Sequence, residues 1–89
     1  MREIEKAAKT IEVLKTAERS PAQLALPMLN GLVGLVGADG DCPLELEEAR
    51  SSTFLAVCEL AKALHRGQPA DHLWPAAITA GERWFALTR

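Results

Sequence analysis

Apolar residues recur along this chain at helical spacing, and nowhere do they alternate as a half-buried strand would. Ile4, Ala7, Ile11 and Leu14 form a narrow stripe with charges filling the positions between them. Glu5 and Lys9 stand four apart in the favourable order. The pattern predicts a helix over residues 3–18 with one face against a bundle.

Ser20-Pro21-Ala22-Gln23 reads as a second start, with serine capping free amides, proline at the first helical position and Gln23 closing a capping box. Pro27 then removes a backbone hydrogen bond and is expected to kink or split that helix. The segment Leu24 to Ala38 carries no charge. Met28, Leu29, Leu32, Val33, Leu35 and Val36 leave no polar face, so residues 28–37 are expected to form a central helix surrounded by protein. Gly31 and Gly34 would let a neighbouring helix approach closely, and Gly37 would close the C-terminus.

Residues 37–43, GADGDCP, read as a turn. A long helix follows and ends at Gly67. Its stripe is Leu46, Thr53, Val57, Leu60 and Leu64, widened by Phe54, Cys58 and Ala61. A break at Ser51-Ser52 would divide it. The last helix opens near Asp71, with Pro75 in its first turn, and runs to about Leu87. The expected fold is therefore all-α: a compact bundle of four helices, five if the third is broken, around the central segment, in one domain over residues 1–89.

Composition narrows the function. With 48% hydrophobic residues the chain can assemble a core without disulfide or metal. A net charge of −2 and a pI near 5.6 oppose a nucleic-acid binder. The apolar stretch is too short and too interrupted to span a bilayer, which takes ~20 apolar residues. The opening MREIEKAAK does not read as a secretory leader, and two cysteines without an export signal fit a reducing cytoplasm. A helix-turn-helix reader would need Arg, Lys, Asn or Gln along the last helix, which offers Thr79, Glu82, Arg83 and alanines.

The candidate chemistry is sparse. Cys42, Cys58, His65 and His72 lack the paired spacing of a zinc site. Asp39, Asp41 and Glu45 would raise rather than lower the pKa of a Cys42 thiol, and Pro43 and Leu44 break a calcium-loop register. No catalytic residue and no cofactor is expected. Glu45, Glu47 and Glu48 either favour the start of the third helix through its dipole or form a docking patch for a basic partner.

The last helix carries two adjoining apolar sectors: Trp74, Ala77, Ile78, Gly81 and Phe85, then Leu73, Ala80, Trp84 and Leu87. Together they exceed the stripe a small bundle usually hides. The expectation is that Leu73, Trp84 and Leu87 approach the surface as a contact site.

The leading reading is a small cytoplasmic, bacterial regulator of antiactivator or inhibitor type that masks a larger partner protein, for example a transcriptional regulator. The same surface could instead make a homodimer. The alternative is a small ligand-binding or enzyme subunit with a cavity beside the central helix, using Glu59 or His72. A DNA-binding protein ranks third.

Overall fold

Four helices make up the computed structural model, which describes residues 2–37 and 43–89. They are α1 (Glu3–Glu18), α2 (Ala22–Val36), α3 (Leu44–His65) and α4 (Leu73–Leu87). Among the described residues there is no strand. The expected turn at 38–42, with Asp39, Asp41 and Cys42, lies outside them.

The helices close a ring. α1 packs on α2 and α4, and α3 packs on the same two, while the diagonal pairs do not meet. Short connections between successive neighbours give the up-and-down order of a four-helix bundle. Its long dimension of 36 Å is close to the ~33 Å expected of the 22-residue α3 alone.

The bounds of α1 coincide with its stripe, and it buries Ala7, Thr10, Leu14 and Ala17. Thr10 satisfies its hydroxyl by donating to the Lys6 carbonyl at 2.7 Å, so the buried polar group carries no desolvation cost. Thr53 does the same on α3, donating to the Ala49 carbonyl at 2.9 Å.

Two expectations for α2 need correction. The helix passes through Pro27 without splitting. The carbonyl that proline leaves unpaired belongs to Gln23, an exposed residue that water can reach. Nor does α2 occupy the centre: it is one corner of the ring. Only Ala25, Leu29, Leu32 and Val36 are buried, while Pro27, Asn30, Gly31 and Gly34 face outward. The predicted serine cap is also absent, because Ser20 donates instead to the Thr16 carbonyl at the end of α1.

α3 runs unbroken through Ser51-Ser52, since mid-helix serine costs only tenths of a kcal/mol. A fifth helix is therefore not formed among the described residues. Its end is set by Gly67, whose φ of +67° suits glycine. Gln68 N–H reaches back to the Ala63 carbonyl and Gly67 N–H to that of Leu64, the paired bonds of a Schellman closure.

The core falls into two layers. The larger gathers Leu14, Leu29, Leu32, Val57, Leu60 and Trp74 with small alanines. The smaller joins Ala7, Val36, Ala49 and Trp84, flanked by Leu46, Phe54, Phe85 and Leu87.

Candidate functional site

The aromatic sector of α4 does not form a surface. Trp84 is fully buried, which overturns its expected role as an exposed contact. Its indole Nε1–H donates to Glu3 Oε2 at 3.1 Å, so the one polar atom of the ring finds a partner at the start of α1. Glu3 in turn lies 3.7 Å from the Lys6 ammonium. Leu73 and Leu87 are half-buried and pack against the two core layers. The reason is the ring: α4 has a helix on each side, so its buried arc is wider than a single stripe. Gly81 permits the α1 side of this contact, because a Cβ there would come within 3.3 Å of Ile11 Cγ1.

The acidic segment divides into two parts. Glu47 turns toward Arg50, whose Nε donates to its carboxylate at 3.2 Å and whose Nη2 makes a second, closer bond. Arg50 is only 5% exposed, and its Nη1 donates to the Val36 carbonyl at 2.6 Å. A guanidinium thus closes the C-terminal end of α2, where carbonyls lack helical partners and positive charge is favoured. Glu47 is thereby engaged in this clasp. Glu45 and Glu48 remain exposed and make no ion pair among the described residues.

Beside them stand two side chains that the hydrophobic pattern did not single out. Leu44 is 73% exposed and Leu55 63%. Eleven residues apart, they lie ~16 Å along the helix and only ~20° around it, so both project from one outward line of α3. Ser51, on the line between them, is half-buried, and Ser52 is exposed to one side of it. One turn beyond Leu55, Glu59 is exposed and lies 3.8 Å from the Lys62 ammonium. The available signal was position: both leucines fall off the Thr53–Val57–Leu60 face.

A third exposed leucine, Leu24 at 57%, lies on the outer face of α2 with Pro27, Gly31 and Gly34. Nothing lies within 4 Å of a Cβ built at Gly31 or Gly34, so no neighbouring helix of the fold uses them. Gly31→Ala and Gly34→Ala are each expected to stabilise the protein by about 0.5–1 kcal/mol, measured by urea unfolding. A loss of stability from either would place something against that face.

His72 and Glu59, the expected cavity residues, are both exposed, and no cavity is found among the described residues. Cys58 is a half-buried free thiol. Among the described residues no group of acids, histidines or cysteines is placed to hold a metal ion. No helix is long and apolar enough to cross a membrane. Comparisons with protein-family models, curated proteins and solved structures found no match to this chain.

Proposed function

We propose that this chain is a protein–protein interaction module, a small cytoplasmic regulator of antiactivator or inhibitor type that masks the surface of a larger partner through the outward line of α3. One observation carries the reading. Leu44 and Leu55 are largely exposed on the same line of α3. Full burial of such a side chain contributes about 1.5–3 kcal/mol, which is available to a partner and unused by the fold. Glu45 and Glu48, two of the three acidic residues expected to dock a partner, are exposed to one side of Leu44. Leu73, Trp84 and Leu87 are engaged in the core and have no part in it.

Leu44→Ser and Leu55→Ser test the reading, because both positions are exposed and the fold tolerates them. Each variant is expected to melt as the parent does and to lose the partner from quantitative co-purification in the cells of origin. Two folded variants that keep every specific partner would refute it.

A second reading, a homodimer, is favoured by the uncharged outer face of α2 with Leu24 exposed upon it. Light scattering separates the two: that reading requires a mass twice that of the chain, restored to one chain by Leu24→Glu.

A further inference from the structure

We draw no further inference here: the strongest candidate, the outward line of α3 on which Leu44, Leu55, Lys62 and Arg66 stand exposed beside Glu48 and Glu59, carries acids and bases together, so nothing in the structure shows what covers it.

Discussion

Trp84→Ala lowers the unfolding free energy by about 3–5 kcal/mol, the range for removing a fully buried large aromatic side chain. A domain of this length has on the order of 4–13 kcal/mol to lose, so the variant is near the edge of folding at room temperature. The loss arises because Trp84 fills the smaller core layer, where its neighbours Ala7, Val36 and Ala49 are small and cannot close the void. Trp84→Phe separates packing from hydrogen bonding. It keeps much of the volume but removes the Nε1–H donated to Glu3, and about 1–2 kcal/mol is expected. Glu3→Gln retains an acceptor and should cost less than Trp84→Phe. Thermal melts followed by circular dichroism check all three. An unchanged midpoint for Trp84→Ala would mean that the indole lies in solvent.

Arg50→Ala is the second large effect, about 2–3 kcal/mol by urea unfolding. Two losses combine: the Val36 carbonyl at the end of α2 loses its charged donor, and the aliphatic stem leaves the junction of α2 and α3. Glu47 contributes little to the penalty, because its side chain is partly exposed and regains water. Lysine at this position should recover less than half of the loss, since an ammonium cannot bond the carbonyl and both carboxylate oxygens in one plane. An effect within about 0.5 kcal/mol would mark an ordinary surface position.

Both residues show what could be read from the chain and what could not. The bounds of α1 were legible because charges border its stripe on every side. α2 departs from its expected central place because absence of charge does not imply burial. Gln23, Pro27, Asn30, Gly31 and Gly34 are uncharged yet face outward. Once they are set aside, Ala25, Leu29, Leu32 and Val36 recur on one face only. Arg50 did carry a signal: it lies on the Thr53–Val57–Leu60 face, where a charge must find a buried partner. The partner itself, a carbonyl fourteen residues earlier, depends on tertiary packing that spacing cannot reveal.

The candidate site moved for a related reason. Two apolar sectors on α4 looked too wide for a small bundle, but a four-membered ring gives each helix two neighbours and so a wider buried arc. The apolar sectors of α4 are consumed by the fold, and the leucines left exposed stand on α3 (Leu44 and Leu55) and α2 (Leu24). Of the expected contact residues, Glu45 and Glu48 are exposed, near exposed Leu44.

That α3 rather than α4 carries the partner is tested most directly by photo-crosslinking in the cells of origin. A benzophenone side chain would replace Leu55 on one protein and Thr79, exposed on α4, on another. Light-dependent adducts to a single partner from position 55, with none from position 79, are the predicted result. Adducts from position 79 alone would return the contact surface to α4 and contradict the account.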